Sequence, residues 1–249
     1  MGHPPDTGLR TPGTDSESEH DRHELDAGLE AINTERDPHE LPTFDSESLT
    51  KPTSTILYLP PLLSSPPHEL RILPDSLEHR PTFTETLLPD IDPVSLSLHK
   101  ALHHFHPATP HYAEVPYEEA FNWPELELPE DEEREWYCVV FRSKRIPGSD
   151  SGPLYDADKK AHEEAVLNGG LIMYWYGVPN PQTGMNLATC IWQSRKHAVA
   201  ANSHPHHIRA MALAAVSYEI YTLERYKLRK SRGERGVIIA PFDGTEVVW

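Results

Sequence analysis

The chain has 249 residues, 25 prolines, two cysteines and a formal net charge of −17, enough length for one core domain with extensions. Two cysteines exclude a disulfide framework, and the acidic balance excludes the electrostatic footprint of a nucleic-acid binder. No signal-peptide pattern opens the sequence and no window approaches about 18 uninterrupted apolar residues, so a soluble cytoplasmic protein without membrane contact is expected.

The charge is unevenly spread. Residues 1–135 carry 29 acidic against 8 basic side chains, whereas residues 136–249 carry 10 against 14. A leader rich in Pro, Ser, Asp and Glu buries too little apolar surface to offset its ordering entropy. Residues 1–50 are therefore expected to form a disordered acidic tail whose removal leaves thermal stability unchanged. Residues 51–130 read as a Pro-rich extension of short elements that pack on the core, and residues 131–249 as the core domain.

Within the extension, Ile56, Leu57, Tyr58 and Leu59 suggest an edge strand stopped by Pro60 and Pro61, because proline cannot donate to a ladder. Asp92 and Pro93 mark a helix start, with Val94, Leu98, Ala101, Leu102 and Phe105 as its apolar face. The helix ends before Pro107. A shorter amphipathic piece spans residues 117–123, and the acidic run 130–133 leads into the core.

The core strands are predicted from β-branched and aromatic enrichment at residues 136–141, 171–176, 187–192 and 237–240. None alternates between apolar and polar, so both sheet faces are expected to be covered. A first helix is predicted to start at Asp156 and to stop at Asn168, Gly169 and Gly170. A second begins near Pro205 and carries the stripe Ile208, Met211, Ala215, Tyr218, Thr222 and Tyr226, broadened by Leu213, Ile220 and Leu223. A preceding turn starts near Ser194, and Arg225, Lys227, Arg229, Lys230, Arg232 and Arg235 fall at the helix end, opposing its dipole. The order βαββαβ predicts an α+β ferredoxin-like fold with both helices on one face. The opposite face then needs a second subunit, the extension or a ligand.

Candidate chemistry is sparse. His197, His204, His206 and His207 lie close together, but their spacing forms no closed zinc set. They read as structural or exposed groups, or, for His207 or His197, as a general base or polar anchor in a pocket. His99, His103, His104 and His106 read as a solvated helix face. His162 is followed by Val166 where H-E-x-x-H needs histidine. Tyr174, Tyr176 and Trp192 could line a substrate pocket with Arg142 or Arg195 clamping an anion, although strand aromatics are more often core. Neither Cys138 nor Cys190 has a neighbour that would lower its pKa. No metal and no cofactor is implied.

The run Thr189 to Ser194, then Ser203 to His207 and Tyr218 to Tyr221, resembles the strand-and-helix signature of the antibiotic-biosynthesis-monooxygenase-like dimeric α+β barrels. That resemblance implies a homodimer whose sheets face each other around an apolar pocket. It also implies an activity drawn from cofactor-free oxygenation, isomerisation or haem degradation, or none. The axial histidine of haem-binding members would fall on Met211, which argues against haem unless the register shifts onto His207. Residues 136–249, with the segments 59–63 and 89–93, also resemble an uncharacterised family of ascomycete fungi, to which no activity attaches. Two readings stand. One is a cofactor-independent oxygenase, isomerase or cyclase acting on a hydrophobic organic metabolite. The other is a non-catalytic homodimer that binds a metabolite or partner. A titratable side chain among the tyrosine and tryptophan rings favours the first; a dry, tightly packed face favours the second.

Overall fold

A computed structural model describes residues 36–42, 53–60, 91–150 and 152–244. In chain order the extension holds strand β1 (Ile56–Tyr58), helix α1 (Pro93–Ala101) and the short helix α2 (Tyr117–Ala120). The core holds β2 (Arg134–Arg145), α3 (Gly152–Asn168), β3 (Leu171–Tyr176), β4 (Met185–Trp192), α4 (Arg195–Ala201), α5 (Pro205–Ser217), β5 (Tyr218–Lys230) and β6 (Val237–Pro241). The strands form one antiparallel sheet in the order β1-β3-β4-β2-β5-β6. Its four inner strands and their helical crossovers make the βαββαβ ferredoxin-like fold.

The fourth strand of that unit is not the one the sequence suggested. Residues 218–226 belong to a strand rather than to the second helix, and β5 pairs with β2 from Tyr218↔Arg145 to Lys230↔Arg134. The segment offers an apolar stripe at helical spacing, but its Tyr, Ile, Thr and Leu content equally suits a pleated strand. The long ladder with β2 outweighs the local pattern. Residues 237–241 consequently become an additional edge strand, and Arg225, Lys227, Arg229 and Lys230 decorate a strand, with Arg232 and Arg235 in the loop after it, instead of a helix terminus. Arg229 pairs with Glu135 at 2.6 Å, and Lys227 with Asp243 at 2.9 Å. Helix α3 also starts earlier than expected, at Gly152 rather than Asp156, whereas Gly169 and Gly170 stop it with φ of 82° and 81°.

One sheet face is covered by the chain's own extension. Trp136, Cys138 and Val140 of β2 point to this side with Trp175, Leu187, Ile191 and Leu228, against Leu98, Leu102, Phe105, Tyr117, Phe121, Trp123, Leu126 and Leu128. Polar contacts pin the cover in register. Trp136 Nε1 donates to Ser95 Oγ at 2.8 Å, Tyr117 Oη shares a hydrogen bond with Thr189 Oγ1 at 2.7 Å, and Asp92 caps α1 by accepting from Ser95 N at 2.9 Å. The sheet pairing with a second copy that the barrel resemblance implied would need this face, and the extension already occupies it except at the start of β5, where Ile220 is 39% exposed.

β1 adds to the free edge of β3 in the register Tyr58↔Tyr174. Residues 36–42 fall inside the span expected to be disordered, yet they pack here, with Leu59 N donating to Pro38 O at 2.7 Å and Leu41 lying against the apolar cluster of Tyr137, Val139, Tyr174 and Trp192 on the other sheet face. The rest of that expected tail lies outside the described residues. Among the described residues no helix is long and apolar enough to cross a membrane.

Candidate functional site

The other sheet face and the helices enclose a cavity of about 1450 Å³. Its floor is the odd-numbered side of β2 (Tyr137, Val139, Phe141) with Tyr174 and Tyr176 of β3 and Cys190 and Trp192 of β4. The residues that roof it on α3, α4 and α5 include five alanines, Ala161, Ala165, Ala198, Ala210 and Ala214. Large rings facing alanines leave volume that larger helix residues would fill. Toward the outside stand Met211, Tyr221 and Leu223, each 41–46% exposed.

Polar groups converge at one end of this cavity. Asp158 and His162 lie one turn apart on α3, with His162 Nδ1 3.6 Å from Asp158 Oδ2. Tyr176 reaches both: its hydroxyl donates to Asp158 Oδ2 at 2.6 Å and sits 2.7 Å from His162 Nδ1. Since the single hydroxyl proton goes to the carboxylate, the imidazole Nδ1–H donates to the tyrosine oxygen. His162 lies edge-on to Tyr174, with ring centroids 3.9 Å apart. Burial lowers the His162 pKa against the opposing pull of Asp158, so the ring is neutral at pH 7. Burial, reinforced by the Asp158 charge, raises Tyr176 well above the ordinary phenol value, so its hydroxyl keeps its proton.

His207 stands on the same wall at the start of α5. Glu164 of α3 holds that helix end, accepting from His206 N at 2.9 Å and His207 N at 3.2 Å. Burial first, and His162 second, lower the His207 pKa. Its buried Nδ1 has no hydrogen-bond partner among the described residues.

The structure gathers some sequence-derived candidates and separates others. His207, Tyr174, Tyr176, Trp192 and Arg195 share the cavity wall. Arg142 does not, because it occupies an even position of β2 and faces the extension. There its guanidinium donates to Ala113 O at 2.7 Å and Val115 O at 2.8 Å and pairs with Glu224 at 2.8 Å. His197 also lies outside the cavity lining. It packs against the α3 stop, where a Cβ on Gly170 would come within 2.3 Å of the ring, and its Nδ1 meets Ser194 Oγ at 2.9 Å. The expected solvated histidine face is only partly solvated, since His99 is buried at 5% exposure.

Asp158 and His162 were the residues that sequence reasoning missed. Their i, i+4 spacing beside the Ala161 and Ala165 stripe was the available signal: a polar pair on the face of a helix that must meet the sheet. The thiols offer no nucleophile. Burial pushes Cys190 up to about 12 and Cys138 well above its usual value.

A ferredoxin-like α+β domain with an aromatic cavity and a carboxylate, phenol and imidazole cluster on its wall is the class these features define. Within that class, residues 79–241 match the family described as PB2B2.08-like, and the chain belongs to that family. A relative from Schizosaccharomyces pombe, UPF0643 protein PB2B2.08, is 32% identical over 137 residues, which cover 49% of this chain and 62% of the relative. The match thus spans less than two thirds of that protein's length. Among solved structures, SnoaB, a cofactor-independent oxygenase from Streptomyces nogalater, aligns over 41% of this chain and 99% of its own at 9% identity, with a TM-score of 0.33. Rv0793 from Mycobacterium tuberculosis aligns over 36% of this chain and 91% of its own at 14% identity, with a TM-score of 0.32.

Proposed function

We propose that the chain binds a hydrophobic organic metabolite in the cytoplasm and acts on it by proton transfer without a cofactor, as an oxygenase, isomerase or cyclase. The observation that carries this reading is the hydrogen-bonded set Asp158, Tyr176 and His162 inside a cavity otherwise walled largely by aromatic and apolar groups. Burying such a set is costly unless its groups are paired, and a purely structural gap could be filled by apolar side chains.

In this reading His207, which lines the cavity and whose pKa burial lowers, removes a proton from an acidic O–H or C–H of the substrate. Tyr176 keeps its proton and turns its hydroxyl from Asp158 toward the oxygen on which charge develops, while His162 holds the phenol in place. Tyr174 and Trp192 stack on the substrate, and Arg195 attracts an anionic substituent. An isomerase or cyclase then returns the proton at another atom. In an oxygenase, dioxygen accepts electrons from the deprotonated substrate.

The test is to recover ligand from the purified chain by native mass spectrometry, then to follow turnover of phenolic and β-dicarbonyl aromatic compounds by mass spectrometry and oxygen uptake. His207→Ala and Tyr176→Phe should each cut turnover by about 100-fold or more while binding changes little. Turnover unaffected in both variants would remove the catalytic reading.

A non-catalytic homodimer is the second reading, favoured by the exposed apolar residues of α5, where Ile208 is 53% and Val216 70% exposed. With the extension over one sheet face, a second copy would associate through this helical side. Sedimentation of the wild type against Val216→Glu distinguishes a dimer from a monomer.

A further inference from the structure

Away from the cavity's titratable end, three imidazoles from distant parts of the chain meet beside β1. His39 comes from the 36–42 segment, His99 from α1, and His103 from the turn that continues α1. Their ring centroids lie 5.3 Å (His39 to His99), 5.1 Å (His39 to His103) and 5.5 Å (His99 to His103) apart. One nitrogen from each ring falls within 4.8 Å of the other two.

The tautomers of two rings follow from their partners. His39 Nδ1 is 2.8 Å from Leu59 O, and His99 Nε2 is 3.1 Å from Pro60 O. A carbonyl oxygen only accepts, so His39 carries its proton on Nδ1 and His99 on Nε2. The lone pairs are then on His39 Nε2 and His99 Nδ1. A metal-bound histidine characteristically donates its other ring N–H to a backbone carbonyl or carboxylate, which fixes the ring and raises its basicity. Here two consecutive carbonyls, at the exit of β1, serve two of the three rings. His99 and His103 are also spaced i, i+4, which puts two imidazoles on one helix face.

We infer that His39, His99 and His103 form a three-histidine site for a divalent transition-metal ion of the zinc class, clamping residues 36–42 and the end of β1 to α1. Bonds of about 2.0–2.1 Å in a tetrahedral site put ligand nitrogens about 3.3 Å apart, so the rings close on the ion by small side-chain rotations. His103 is exposed, which leaves the fourth position to water. Neutral imidazole is the ligand form. Burial, together with the neighbouring rings, lowers the pKa of His99 to about 4 and that of His103 in the same direction, so both are unprotonated at neutral pH. His39 precedes His99 by sixty positions, and hence the set has no signature in local spacing.

The full-length chain, stripped with a chelator and dialysed, is titrated with Zn(II) against a chromogenic competitor, and with Co(II) while its visible spectrum is recorded. One equivalent should bind tightly, and Co(II) should show the intense bands of a four-coordinate site. His103→Ala, an exposed position whose replacement leaves the fold intact, should weaken Zn(II) binding at least about tenfold; so should His39→Ala. His104→Ala, on the same turn but outside the trio, should bind as wild type does. Circular dichroism of each variant separates lost ligation from lost folding. Equal affinity in wild type and His103→Ala, or an equal loss in His104→Ala, overturns the site.

Discussion

Replacing Phe121 with alanine tests whether the extension is a working part of the core. Phe121 is 2% exposed. Its ring lies 4.5 Å from Phe105, 4.9 Å from Trp175, 5.6 Å from Trp123 and 5.7 Å from Tyr117, centroid to centroid. A buried Phe→Ala change costs about 3–5 kcal/mol, and more where the surroundings cannot collapse into the void. Phe121 belongs near the upper end, because its neighbours are rigid rings held on several elements and each aromatic pair adds about 0.5–1.5 kcal/mol beyond area burial. In a chain of this size each kcal/mol moves Tm by about 2–4 °C, so a loss of about 8–20 °C is expected. Urea unfolding followed by tryptophan fluorescence should give a lower midpoint at an unchanged slope. A loss below about 1 kcal/mol, the range of an ordinary surface change, would refute the packing. A Tm rising with protein concentration would report association of copies, and Val216→Glu would abolish that rise if they meet through α5.

Further outcomes follow from individual contacts. Arg142→Met should destabilise the fold by about 1–3 kcal/mol by stranding the Ala113 and Val115 carbonyls, with ligand affinity unchanged because the side chain faces away from the cavity. Gly170→Ala should be strongly destabilising, since φ is 81° and the new methyl meets the His197 ring; the added His197→Ala change should recover part of the loss in a double-mutant cycle. His162 and His207 resist protonation in the folded state while the unfolded chain takes up protons below about pH 6.5. Stability is therefore complete above that pH and falls on acidification through the lowered folded values, and His162→Gln should flatten the fall in calorimetry. Deletion of residues 1–42 should lower Tm by removing the Pro38 to Leu59 bond and Leu41, in contrast to the neutral outcome expected from composition.

Legibility in the sequence tracked how local the determining forces were. Residues 171–176 and 187–192 announced strands through Tyr, Trp, Ile and Thr. Asp92 with Pro93 announced α1, and Gly169 with Gly170 announced the end of α3. Residues 218–226 were misleading because one set of apolar positions satisfies a helical stripe and a strand alike. Only a partner strand in β2, some eighty residues earlier, could choose between them. The same lack of alternation hid the facing of Arg142: Trp136 and Tyr137 are adjacent aromatic residues on opposite faces, so nothing local says which parity meets the cavity. At the site, the aromatic wall of Tyr174, Tyr176 and Trp192 could be picked out in advance. Asp158 and His162 were signalled only by their i, i+4 spacing beside Ala161 and Ala165, a weak cue because a charged residue on a helix ordinarily faces water.

By itself, then, the amino-acid order determined which segments could form strands and where helices start and stop, and it required both faces of the sheet to be covered. These are properties of neighbouring residues, set by backbone sterics, capping and composition. Tertiary structure alone decided that the cover is residues 91–128 of the same chain. It also decided that β5 completes the four-stranded unit, that Tyr176 meets Asp158 and His162, and that His39 joins His99 and His103. Each depends on groups far apart in sequence brought together by burial, and the free energy of such contacts belongs to the packed whole rather than to any one segment.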